Sequence, residues 1–136
     1  MTGNELKEIF IEKGINPKFL KKQLVQKKVC MQKDIGVHNN LFGGNLLSWI
    51  DEAAAAFISE TIGFRPVVTL KINEVLFKAP VKLHDIINID CKILHMGTSS
   101  IKVLVEVVNT RTNNVVCTTD IVFVHIDPET MKSKEI

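Results

Sequence analysis

Val37-His38-Asn39-Asn40-Leu41-Phe42-Gly43-Gly44, followed by the apolar run from Asn45 to Ile62, decides how the rest of the chain is read. The stretch reads as a loop that turns into a buried helix. After Gly44 come Leu46, Leu47, Trp49, Ile50, four consecutive alanines (Ala53 to Ala56), Phe57 and Ile58. A helix that is apolar on nearly every side has to be wrapped by other structure. Asp51 and Glu52 interrupt the run. A carboxylate there either turns to an opening or has its burial offset by hydrogen bonds or by a function.

Downstream of this helix, which Gly63 closes, the pattern favours strands. Val67 to Phe77 is rich in valine, leucine and isoleucine and ends at Ala79-Pro80, because proline cannot donate to a ladder. From Ile86 to His95, Ile87, Ile89, Cys91 and Ile93 alternate with polar residues. Met96-Gly97 turns into Ser100 to Val108, where Ile101, Val103, Val105 and Val107 share a face. A last strand is expected over Val115 to Ile126, and the polar tail 129–136 is expected to fray. Upstream, Leu6, Ile9 and Phe10 fall at helical spacing between Asn4 and Lys13, with Gly14 as the stop. Residues 1–20 thus read as a helical extension, and the patchily apolar end of Phe19 to Met31 as an edge strand. Four strands after one apolar helix, joined mostly by short links, imply an antiparallel sheet curved around it. The fold class is α+β, and 136 residues make one domain.

Composition narrows the function classes. Apolar residues at 46% and charged residues at 24% match ordinary globular usage and exclude a disordered chain. The longest apolar run carries Asp51 and Glu52, which argues against a membrane span, and no basic-then-apolar leader opens the chain. Cys30, Cys91 and Cys117 lie far apart without metal-ligand spacing. They read as reduced core thiols in a cytoplasmic protein, with no metal site. The net charge of +2 hides seven lysines against three glutamates in residues 1–30. Lys18, Lys21, Lys22, Lys27 and Lys28 are a possible phosphate-attracting cluster. Charge runs more often form a solvated face, and no nucleic-acid partner is expected.

Phe42-Gly43-Gly44-Asn45-Leu46-Leu47-Ser48-Trp49-Ile50-Asp51-Glu52-Ala53 resembles the signature of hotdog-fold acyl-CoA thioesterases, a Gly-Gly pair opening the helix and an acid eight positions after the first glycine. Val67-Val68-Thr69, the strand end Val75 to Pro80 with its FKAP, and Gly97-Thr98-Ser99-Ser100-Ile101-Lys102 are similar to the cytosolic acyl-CoA hydrolase branch. Together these pieces span residues 34–126 in the family's order. The resemblance implies a hotdog fold, hydrolysis of acyl-CoA esters without a cofactor, and sites built across a homodimer that often enters a tetramer or hexamer. It also implies that Gly97, Thr98, Ser99 and Ser100 contribute to the CoA site.

The residues themselves suit that chemistry. A thioester carbonyl gains negative charge when attacked, and free amides at a helix N-terminus, here at Gly43 and Gly44, are placed to hold it. Asp51 can activate a water or add to the carbonyl itself. Eight residues of helix put Asp51 about 12 Å from the Gly43 amide. Both act on one substrate only if they come from different subunits. Lys78 and Lys102 are possible phosphate partners, though an exposed strand lysine is often just solvated. Many relatives carry an Asn or Gln seven residues before the first glycine. That position is Gly36, so the role is vacant or has moved to His38, Asn39 or Asn40, with Asn39 or His38 holding a water for Asp51. The alternative is that these three only shape the turn.

Trp49 and Phe57 read as core and Glu52 as an interface or structural residue. His84, His95 and His125 lack triad partners in view. Two other functions compete with hydrolysis: an acyl-CoA-binding hotdog protein acting as a sensor, and a hotdog dehydratase, for which His38 is the only candidate base.

Overall fold

The structure is a computed structural model describing residues 1–136. Helix α1 (Gly3–Lys13) opens on a capping box: Glu5 N donates to Thr2 Oγ1 at 3.2 Å while the Glu5 carboxylate accepts from Thr2 N. It ends where Gly14 turns left-handed at φ +69. Leu6 and Phe10 point inward. Asn16 then caps a short 3-10 turn, Pro17–Leu20, which sets Phe19 edge-on against Phe57 at 5.4 Å. The edge strand expected at the end of Phe19 to Met31 follows as β1 (Gln23–Val29).

After the loop comes α2 (Gly43–Thr61). The remaining strands are β2 (Val67–Ile72), β3 (Leu76–Phe77), β4 (Ile86–Met96), β5 (Ser100–Asn109) and β6 (Val115–His125). All pair antiparallel in the order β1-β4-β5-β6-β2, with β3 also on β6. Five strands rather than four follow α2. The run Val67 to Phe77 breaks at Asn73–Val75, and its two halves lie one after the other along the same edge of β6. Pairing of sequence neighbours holds for β4, β5 and β6 but fails for β2. The helix carries the chain across the sheet, so β2 starts at the far edge, beside β6.

The buried residues of α2 are Leu46, Trp49, Ile50, Ala53, Ala54, Phe57, Ile58 and Thr61, a three-and-four spacing that marks a single face. They pack on the alternating inward residues of the sheet, among them Ile87, Ile89, Ile93, Val103, Val105, Ile121 and Phe123. Wrapping on nearly every side is thus not achieved within one chain: Leu47, Asp51 and Ala55 are half-exposed, and Ser48, Glu52 and Ala56 are exposed. No helix is long and apolar enough to cross a membrane.

The tail is a correction. Expected to fray, residues 129–136 instead fold back on the sheet: Lys134 N donates to His125 O at 2.8 Å and Ile136 N to Thr98 O at 2.9 Å. Ser133 bridges Ile126, and the Ile136 side chain is buried in the core. One apolar residue amid polar neighbours gives no period, and its burial depends on a groove that exists only once the sheet has formed.

Candidate active site

The loop before α2 is a small closed hairpin. Asp34 is buried; its carboxylate accepts from Met31 N at 2.9 Å, and its carbonyl accepts from Phe42 N at 2.9 Å and Asn45 Nδ2 at 3.2 Å. Gly36 N donates to Asn40 O at 2.9 Å, and Ile35 bridges Leu41. His38 and Asn39 sit at the tip with left-handed φ of 67 and 59, both exposed. The returning limb then lies against the segment before β4: Leu41 N donates to Val81 O at 2.8 Å, and Asn40 pairs with Lys82.

This strap aims the start of α2. Phe42 is the N-cap without a side-chain cap bond, and its carbonyl accepts from Asn45 N and Leu46 N. The amides of Gly43 and Gly44 find no protein acceptor, as the first turn of a helix dictates. Beside them opens a cleft of about 370 Å³, lined by Asn40, Gly43, Leu46, Phe77, Lys78 and Val81 among others. Aromatic rings crowd the two glycines. A Cβ at Gly44 would stand 2.9 Å from Phe42 Cε1, whereas one at Gly43 would meet Phe77 Cζ at an ordinary 3.6 Å. At Gly36 a Cβ would lie 3.1 Å from the Phe42 ring. The space beside Gly36 is thus taken by the Phe42 side chain.

Asp51 lies two turns further along α2, half-exposed, and its Oδ1 accepts from Thr69 Oγ1 at 2.9 Å. Thr69 is the site residue to which the sequence reading gave no role. Its contact spans 18 residues and depends on the β2 register, which shifts between Thr69 and Lys71; only the recurrence of Val67-Val68-Thr69 pointed toward it.

Asp51 does not line the Gly43 cleft. Thr69 pairs with Phe123, while Phe77, beside Gly43, pairs with Cys117. Six residues along β6 separate the two rows by about 20 Å. On one chain, therefore, the two candidate elements form separate halves.

The turn from Gly97 to Ser100 belongs to the Asp51 half, since Ser100 and Val68 both pair with Val124. Gly97 N donates to Ser100 O at 2.8 Å, and a Cβ at Gly97 would come 2.8 Å from Ser100 Oγ. The carbonyls of Thr98 and Ser99 are engaged by Ile136 N and His125 N. Lys78 falls in the cleft with Gly43, and Lys102 is paired with Asp120 at 3.3 Å. In the N-terminal lysine group, Lys22 binds Glu106 at 2.6 Å and Lys27 binds Asn88 Oδ1 at 2.6 Å. Lys18 and Lys28 lie over Phe19 and Trp49 at 5.0 and 4.8 Å.

The thiols are unsuited to nucleophilic work. Burial pushes Cys91 up to about 12 and raises Cys30 and Cys117 as well, and all three are free and buried. No three His, Cys, Asp or Glu side chains converge as metal ligands would. Asp85 is the most perturbed carboxylate. It accepts from Arg111 Nε at 2.6 Å and Nη2 at 3.0 Å, from Asn109 Nδ2 at 2.8 Å and from Lys82 N at 3.0 Å. The Arg111 contact foremost holds it well below the usual carboxylate range.

Comparison with known proteins agrees with this geometry. The model of the thioesterase superfamily matches residues 38–116, more than half of the chain. An uncharacterized acyl-CoA thioester hydrolase from Buchnera aphidicola subsp. Schizaphis graminum is 33% identical over 84 residues, which cover 62% of each chain. The chain thus spans about three fifths of the length of the curated relatives it matches. Among solved structures, the hexameric thioesterase of Yersinia pestis superimposes with a TM-score of 0.77 at 25% identity, covering 84% of this chain and 94% of that one. The acyl-CoA hydrolase of Staphylococcus aureus, solved with butyryl coenzyme A and coenzyme A, gives 0.74 at 30% identity, covering 84% and 68%. With a helix laid across a curved antiparallel sheet, free amides at its Gly-Gly start and a threonine-held aspartate two turns on, the chain belongs to the thioesterase superfamily.

Proposed function

We propose that the protein hydrolyses acyl-CoA thioesters to a free acid and coenzyme A, working as a homodimer or a dimer-based oligomer. The observation that carries this reading is the division of the chain into two half-sites: unpartnered amides in a cleft at Gly43, and a threonine-bound Asp51 on the unwrapped side of the same helix. The edge beside them is unfinished. Val68, Leu70, Ile72, Leu76 and Phe77 are exposed along β2 and β3, a row that monomers rarely leave uncovered. A second copy set against this edge covers the row, lays two α2 helices side by side and brings the partner subunit's Asp51 toward Gly43. The hexameric thioesterase of Yersinia pestis makes further assembly to a tetramer or hexamer a natural extension.

In the proposed reaction the carbonyl oxygen sits against the Gly43 and Gly44 amides, which stabilise the charge that grows on it. Asp51 takes a proton from the attacking water, or attacks first and is released by water. In either route the carbon–sulfur bond breaks, the CoA sulfur leaves with a proton, and oxygen from water ends in the acid. His38 and Asn39, exposed at the loop tip and outside the Gly43 cleft, reach that water only if the partner subunit carries it to the tip. Gly97, Thr98, Ser99 and Ser100 receive the CoA phosphates on the Asp51 half, and Lys78 adds a cation on the Gly43 half. Water is the only co-reactant, so no cofactor is required. We place the enzyme in the cytoplasm, where three unpaired thiols stay reduced.

The test is free-thiol release from acyl-CoA esters of graded chain length. Turnover of at least one chain length supports the reading. Binding of these esters without thiol release identifies a sensor and removes the enzymatic assignment.

A further inference from the structure

The cleft at the start of α2 contains one side-chain amide, that of Asn40. Its oxygen is already engaged, because Lys82 Nζ donates to Asn40 Oδ1 at 3.1 Å. An ammonium group is a donor only, so this contact fixes which end of the amide is oxygen and leaves Nδ2 as the free end. No protein acceptor takes that NH2 group, and half-buried Asn40 lines the same cleft as Gly43, whose amide is equally unpartnered. The backbone holds the residue as firmly: Gly36 N binds Asn40 O, Leu41 N binds Val81 O, and Asn40 bridges Lys82. His38 and Asn39, by contrast, sit at the exposed tip and do not line the cleft.

We propose that Asn40 is a catalytic residue whose Nδ2 donates to the thioester carbonyl oxygen alongside the Gly43 amide, and that Lys82 is the positioning residue that fixes its orientation. The inference rests on the proposed hydrolysis and adds a donor to it. Of the polar residues in the loop before α2, Asn40 is the one that lines this cleft, on the limb that runs beside Lys82. Lys82 also draws electron density toward Oδ1, which makes the opposite N–H a better donor as the oxyanion forms.

The experiment measures kcat, KM and thermal unfolding for Asn40→Ala, Asn40→Asp, Lys82→Met and Lys82→Arg, with the acyl-CoA that the wild-type protein turns over fastest. Loss of one oxyanion donor typically costs a hundred-fold or more; for a donor shared with backbone amides, about ten-fold to a hundred-fold in kcat is expected for Asn40→Ala, with little change in KM. Asn40→Asp, which turns an acceptor toward the oxyanion, should fall further while remaining folded. Lys82→Met should lower kcat by about three-fold, and Lys82→Arg should restore it, a rescue that a purely structural role would not produce. Retention of wild-type kcat by folded Asn40→Ala and Asn40→Asp overturns the assignment, as does a loss confined to KM. An unchanged kcat in Lys82→Met removes the positioning role. A wild-type protein that cleaves no thioester overturns the proposed function itself, and is thereby distinguished from failure at Asn40 alone.

Discussion

Asp51 is held by one hydroxyl on the open side of a helix whose other face is packed, so its carboxylate can be removed with little cost to the core. Asp51→Ala and Asp51→Asn are expected to lose about two orders of magnitude or more in kcat while keeping the wild-type circular dichroism spectrum. A folded Asp51→Ala enzyme with most of its activity would sink the role. Thr69→Ala should have a smaller effect, about ten-fold or less, because it frees the carboxylate's orientation without removing the group. The two glycines differ in an equally testable way. Gly44→Ala forces a Cβ to within 2.9 Å of the Phe42 ring and should lower the unfolding temperature by an overpacking cost of about 1 kcal/mol or more. Gly43→Ala meets only ordinary contacts, and its unfolding temperature should equal or exceed that of the wild type. Equal melting temperatures for the two variants would show that the ring simply swings aside.

Between elements, the start of β4 is tied to the β5–β6 turn by Asp85, Asn109 and Arg111. Asn109 is fully buried, donating to Asp85 and accepting from Arg111 N at 3.0 Å. The folded protein depresses the Asp85 pKa below the ordinary value of 3.8, so this carboxylate contributes stability that is present above about pH 4 and is lost as pH falls through the depressed value. Arg111→Ala should lower the unfolding temperature at neutral pH, and Asp85→Asn should flatten the acid limb of the stability curve below about pH 4. An acid limb of wild-type steepness in Asp85→Asn would assign the acid sensitivity to other carboxylates. The other informative joint is the break at Asn73–Val75, where Asn73 N donates to Asp120 O at 3.0 Å and the edge strand changes course. It separates the part of the edge that holds Asp51 from the part that faces Gly43.

At the scale of the whole molecule, the proposed reaction makes assembly a condition of activity, because Asp51 lies apart from the Gly43 cleft on one chain. Light scattering should give a dimer or a multiple of one. Neither Gly43→Pro nor Asp51→Ala chains alone should turn over substrate, and mixed oligomers should regain part of the activity, because a hybrid dimer contains one site with both groups intact. An active species of monomer mass would overturn the shared-site arrangement. Replacing Leu70 and Phe77, which are 66% and 53% exposed on the open edge, by lysine should shift the oligomer toward monomer and reduce activity in parallel.

The central helix, the alternating strands, the left-handed stop at Gly14 and the core placement of Trp49 and Phe57 were all legible in the sequence, because each rests on spacing within one element or on one residue's backbone preference. The Gly-Gly start and Asp51 were legible as a motif, and the length of helix between them already implied two subunits if both groups act on one substrate. Contacts between distant elements were not legible. The path of β2 to the far edge, the Thr69 hydroxyl on Asp51, the anchoring of Ile136 and the Phe42 ring beside Gly36 depend on register and on what stands opposite in space, and no local period encodes either. The same holds for Asn40. In the sequence it is one of three polar residues in a turn; only the strap beside Lys82, formed once the loop packs against the segment before β4, sets it apart from His38 and Asn39 by placing it in the cleft.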